Sequence, residues 1–125
     1  MTENLNNSAR NISISVIIPV YEREKELNKA LNSIYEQTVI PDEIIIIDDS
    51  KRKLKIKEKF KKNLNLKVIK NSKPVGTSNA RNQGIKISKS DYCAFLDSDD
   101  YFDKFKLEKQ IEAVIKKDAE FVYGN

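Results

Sequence analysis

Four short apolar runs alternate along the chain with stretches of helical spacing, and this alternation limits the folds open to it. The runs are Ile12–Val20, Glu43–Ile47, Leu64–Ile69 and Tyr92–Leu96. The first two are nearly continuous in β-branched residues (ISISVIIPV and EIIII). Strands that do not alternate polar with apolar are buried on both faces, as in a parallel sheet. Between them, Glu22–Gln37 spaces Leu27, Leu31 and Ile34 for one helical face. The basic stretch Lys51–Lys62, interrupted by Leu54, Ile56 and Phe60, reads as a helix with a solvated face. Thr77 or Ser78 is positioned to cap a helix through Ile87, and Leu107, Ile111, Val114 and Ile115 mark a further helix. Phe121–Tyr123 reads as the start of a fifth strand. The expected fold is α/β and Rossmann-like, a mainly parallel sheet with helices on both faces.

Composition narrows the chemistry. The 125 residues suit one domain, and 39% of them are hydrophobic, enough for one core. Residues 1–11 read as a polar tail and 12–125 as the domain. The net charge is +4, without the aromatic interleaving of a nucleic-acid surface, so no nucleic-acid partner is expected. The chain has no histidine and a single cysteine, Cys93. It therefore holds no Ser-His-Asp triad and no Cys-His zinc site. Acid-base or metal chemistry within it falls to carboxylates. A lone cysteine suits the cytosol, so a cytoplasmic location, or the cytoplasmic face of a membrane, is expected.

Ligands of open parallel sheets bind beyond the carboxyl ends of the strands. Those ends carry Pro19-Val20-Tyr21-Glu22, then Asp48-Asp49, then the Asn71–Gly76 loop leading to Asn79 and Arg81, and finally Asp97-Ser98-Asp99-Asp100. Two acidic clusters and an arginine then share one crevice. Carboxylates so gathered repel unless a cation neutralises them, and hard oxygens suit Mg²⁺ or Mn²⁺ bound with a diphosphate. Simpler readings stand beside this one. Asp48 can end a strand in a turn, and Asp100 or Asp103 can begin a helix. Arg81 can be a surface ion-pair partner, and Tyr21 can fill a loop. Gly76 suits a turn, Gly84 a close helix-sheet contact, Cys93 a core filler, and Phe102 and Phe105 packing. A receiver domain would need its acidic pair after the first strand, and a nucleotidyltransferase would need a glycine-rich loop there. Neither is present.

The segments SVIIPVYERE, EIIIIDDS, PVGTSNARNQGI and DYCAFLDSDD, in this order and spacing, resemble glycosyltransferase family 2 with a GT-A fold. The resemblance implies metal-dependent transfer, with inversion, from a nucleoside-diphosphate sugar, typically a UDP-sugar, to a hydroxyl of a carbohydrate or glycoconjugate acceptor. It implies nucleotide contacts from Pro19, Val20, Tyr21, Glu22, Asp49, Arg81, Asp97 and Ser98. It also implies a divalent Mn or Mg ion held by Asp97 and Asp99 of an Asp-x-Asp motif. The family's catalytic base and acceptor region are expected beyond a point equivalent to Asn125, so this chain supplies the donor-binding half. A non-catalytic nucleotide-binding or assembly module is the alternative. The chain departs from the family pattern in two places: Glu22 stands where Asn is usual, and Ser50-Lys51-Arg52 follows the double Asp where Gly, Ser and Thr are usual. An exposed fifth strand would offer an edge for a homodimer.

Overall fold

A computed structural model describes residues 12–98 and 101–122 of the chain. Four strands form one all-parallel sheet: β1 Ile14–Val20, β2 Glu43–Asp48, β3 Leu66–Lys70 and β4 Tyr92–Phe95, in the order β3-β2-β1-β4. All thirteen residues of the two central strands are buried, which is why their sequences do not alternate. The outer strands are half-exposed, and β3 carries Lys67 and Lys70, charges suited to a sheet edge.

The helices are α1 Glu24–Tyr35, α2 Glu58–Asn63, α3 Thr77–Ile87 and α4 Lys106–Val122. Val16, Ile18, Ile44 and Ile46 pack with Leu27, Leu31 and Ile34 of α1, Phe60 of α2, and Leu107 and Ile111 of α4. Ile17, Ile45 and Ile47 pack with Ala80 of α3 on the opposite face. The period-2 pleat thus feeds two cores, and the doubly covered sheet matches the sequence expectation. Each fully buried isoleucine contributes about 1.5–3 kcal/mol. At Gly84 a Cβ would lie 2.6 Å from Ile17 Cγ2, so this position permits the close approach of α3 to β1. Cys93 is half-buried against the same core.

Pro19 does not stop β1, which runs on to Val20. Odd-numbered β1 residues direct their backbone groups toward β4: the carbonyls of Ser13 and Ile17 accept from Tyr92 and Leu96. Pairing with β4 ends at Ile17 opposite Phe95, so nothing on that side demands the N–H that Pro19 lacks. The gap between β1 and β4 opens from there.

Several expectations are corrected. The basic stretch is helical only over Glu58–Asn63, and Lys51–Lys57 is irregular. Neither Thr77 nor Ser78 caps α3. Gly76 occupies the cap with φ 88°, a conformation suited to glycine, and no side chain bonds there. Phe121 and Val122 belong to α4 and not to a fifth strand, which removes the proposed dimer edge. The polar tail and Tyr123 lie outside the described residues. Among the described residues no helix is long and apolar enough to cross a membrane.

Candidate functional site

Strand order reverses at β1: β2 and β3 extend to one side and β4 returns on the other. Such a switch point is where parallel sheets hold ligands. A cavity of about 310 Å³ opens there, lined by Pro19, Val20, Tyr21, Arg23, Asp49, Thr77, Ala80, Arg81, Asp97 and Ser98. The sheet therefore brings together seven of the positions singled out from sequence. Glu22 does not line the cavity. Asp99 and Asp100 lie outside the described residues, so the Asp-x-Asp motif is described only through Asp97 and Ser98.

Asp49 follows β2 and is buried. Its Oδ1 accepts from Asn71 Nδ2 at 2.7 Å, and its Oδ2 accepts from the backbone N–H of Val75 at 3.0 Å and of Gly76 at 3.1 Å. One carboxylate thus folds the loop that leads into α3. A carboxylate has about four acceptor positions, so one remains for a ligand. Asp48 plays a different part. Its Oδ1 accepts from Ser50 N–H at 2.8 Å in a local turn, and it does not line the cavity.

Across the cavity, Arg81 on the first turns of α3 donates to Asp97 Oδ1 at 2.8 Å. Its guanidinium lies 5.6 Å from the centre of the Phe95 ring. The ion pair is half-exposed, so it adds little stability of its own. Arg81 Nε is enclosed, and among the described residues no group accepts its hydrogen. Asp97 keeps Oδ2 uncommitted among the described contacts, a hard oxygen of the kind a divalent cation takes. Among the described residues no group of three or more such ligands gathers, and Asp99, the other carboxylate of the motif, lies outside them.

Arg23, Thr77 and Ala80 were not singled out from sequence. Thr77 and Ala80 lie four and one residues before Arg81, so helical spacing from Arg81 would have pointed to Thr77. Arg23 carried no comparable signal beyond its place in the loop after β1.

The Glycosyl transferase family 2 pattern matches residues 15–125. The Escherichia coli UDP-Glc:alpha-D-GlcNAc-diphosphoundecaprenol beta-1,3-glucosyltransferase WfgD is 33% identical over 113 residues, covering 90% of this chain and 45% of that protein. The chain thus spans less than half the length of that relative. The crystal structure of Staphylococcus aureus TarS 1-349 with UDP matches with a TM-score of 0.75 at 33% identity, over 84% of this chain and 32% of that one. The same protein with UDP-GlcNAc matches with a TM-score of 0.72 at 35% identity, over 85% and 32%. The shared pattern and the shared GT-A fold together lead to one conclusion: this chain belongs to glycosyl transferase family 2.

Proposed function

We propose that the chain binds the donor of a glycosyltransferase that moves a sugar from a UDP-sugar to an acceptor hydroxyl, with a divalent cation and with inversion. The observation that carries this reading is the cavity at the β1/β4 switch point, where Asp49, Arg81 and Asp97 converge from three strand ends. Its likeness to TarS bound to UDP and to UDP-GlcNAc supports a uridine nucleotide as the ligand.

In this reading Pro19, Val20 and Tyr21 form the wall against the base, with Tyr21 half-exposed and available for stacking. The remaining acceptor position of Asp49 takes an N–H of the base. Arg81 turns its guanidinium fork toward the phosphates. Asp97 and Asp99 would hold Mn²⁺ or Mg²⁺, which would supply positive charge to stabilise a departing diphosphate. Ser98, buried beside Asp97, adds a nucleotide contact. The acceptor is a carbohydrate or glycoconjugate hydroxyl, which attacks the anomeric carbon in line with the leaving UDP. No residue of this chain is assigned as the base. The single cysteine, Cys93, supports a reaction in the cytoplasm or at the cytoplasmic face of a membrane.

Calorimetric titration of UDP and GDP, with Mn²⁺ and with chelator, tests the reading. Metal-dependent UDP binding that weakens at least tenfold in Asp97→Ala is expected, the scale of one lost charge-assisted contact. Tighter GDP binding would change the donor. A folded protein that binds neither would sink the proposal, and binding without transfer to any acceptor would leave a binding module.

A further inference from the structure

Glu22 combines three features that its place in the sequence did not announce. Its backbone is left-handed, with φ 55°, the one such non-glycine among the described residues. Its backbone N–H donates to Ser50 Oγ at 2.6 Å. Its own carboxylate reaches back, Oε2 accepting from Lys51 N–H at 2.7 Å. The two bonds run in opposite senses between the loop after β1 and the turn after β2. A strained non-glycine conformation persists only where its surroundings over-determine it, and such sites concentrate around ligands.

Ser50 is the buried anchor of this arrangement. Its Oγ receives Glu22 N–H, its N–H donates to Asp48 Oδ1, and its carbonyl accepts from Lys70 Nζ. Every polar group of Ser50 is therefore engaged. Neither Glu22 nor Ser50 lines the cavity, yet their chain neighbours do: Tyr21 and Arg23 flank Glu22, and Asp49 precedes Ser50. The two departures from the family pattern thus bond to each other. A glycine after the double Asp would have no hydroxyl for Glu22 N–H.

We propose that Glu22 is a positioning residue for the nucleotide pocket: its left-handed backbone and carboxylate clasp Ser50-Lys51, setting Tyr21 and Arg23 opposite Asp49 before the nucleotide arrives. The inference rests on the donor-site reading above. A pocket set in advance loses less freedom on binding, so the clasp acts on affinity more than on folding. The carboxylate contributes through an acceptor oxygen, and an amide oxygen at the same reach can replace it.

UDP titration with Mn²⁺ and thermal melting are compared in the full-length protein for wild type, Glu22→Gly and Glu22→Gln. Glycine takes φ 55° without strain but has no acceptor, so Tm should hold to within about 3 °C. UDP affinity should nevertheless fall roughly three- to tenfold, the scale of one hydrogen bond. Glu22→Gln, which keeps an oxygen for Lys51 N–H, should restore affinity to within about twofold of wild type. Folded Glu22→Gly that binds UDP like wild type would overturn the inference and leave the donor reading standing. So would a Glu22→Gln variant no tighter than Glu22→Gly, since the carboxyl oxygen would then not act as described. Wild type that binds no UDP would overturn the donor reading first and the inference with it.

Discussion

Strand β2 carries a buried carboxylate at its start and another just past its end, and the two are treated in opposite ways. Glu43 at the start is enclosed by its partners: Ser15 Oγ at 2.6 Å, the Lys89 backbone N–H at 2.7 Å and Lys67 Nζ at 2.8 Å. Burial pushes its pKa up, but the hydrogen bonds of Lys67, Ser15 and Lys89 and the lysine charge outweigh that and hold it at about 2. Asp49 past the end receives only neutral N–H donors and faces the cavity. A carboxylate with a lysine is a closed strut that ties β1, β2, β3 and the end of α3 together. A carboxylate held by amides alone leaves an acceptor position open toward the cavity. Burial and the carboxylate group itself do not separate the two; the partner set and the end of the sheet do.

The largest expected effect lies at the strut. Glu43→Gln should lower stability by about 3 kcal/mol at pH 7, the size of a carboxylate pKa drop from 4.5 to about 2. UDP affinity should stay unchanged. Because folding lowers this pKa, the contribution is complete above about pH 4.5 and lost as pH falls from 4.5 toward 2. Urea melts across that range should therefore converge for wild type and Glu43→Gln as the solution becomes more acidic. Persistent separation at the acid end would break the comparison.

At the other end, Asp49→Ala should cost about 2 kcal/mol, because the Val75 and Gly76 N–H groups lose their acceptor. It should also weaken UDP at least tenfold. Calorimetry and melting on the same preparation separate these. A loss of stability with intact binding would make Asp49 a second strut. The smallest effect is expected from Ser15→Ala, about 1 kcal/mol, since Lys67 and Lys89 still hold Glu43. Its checks are a denaturant midpoint displaced by that amount and a UDP affinity equal to wild type.

Much of this molecule was legible in its sequence. The four strands and the flanking helices follow from apolar runs and helical spacing, because those periods reflect which faces must be buried. The acidic clusters could be assigned to one edge, because a βα repeat sends every strand the same way. Other features were not legible. The run Lys51–Lys57 has helical composition, yet Lys55 and Lys57 give their N–H groups to Glu24 and Asn28 on α1, a tertiary competitor for helical bonds. Phe121-Val122 has strand propensity but continues α4, whose buried face holds Leu107 and Ile111 against the sheet. The role of Glu22 depends on Ser50, twenty-eight residues away.

By itself, the sequence determined the four segments that form the sheet, which of their faces are apolar, and that carboxylates and an arginine would end at the carboxyl edge of a parallel sheet. These follow from local periodicity and chain direction, which need no knowledge of neighbours. Tertiary structure alone decided the order β3-β2-β1-β4, the opening beside Pro19, the lysine given to Glu43 and withheld from Asp49, and the clasp of Glu22 on Ser50. Each of these is a pairing between residues distant in the chain. A backbone donor or a buried charge takes the partner that packing places within about 3 Å of it, and that choice is made only when the sheet has assembled.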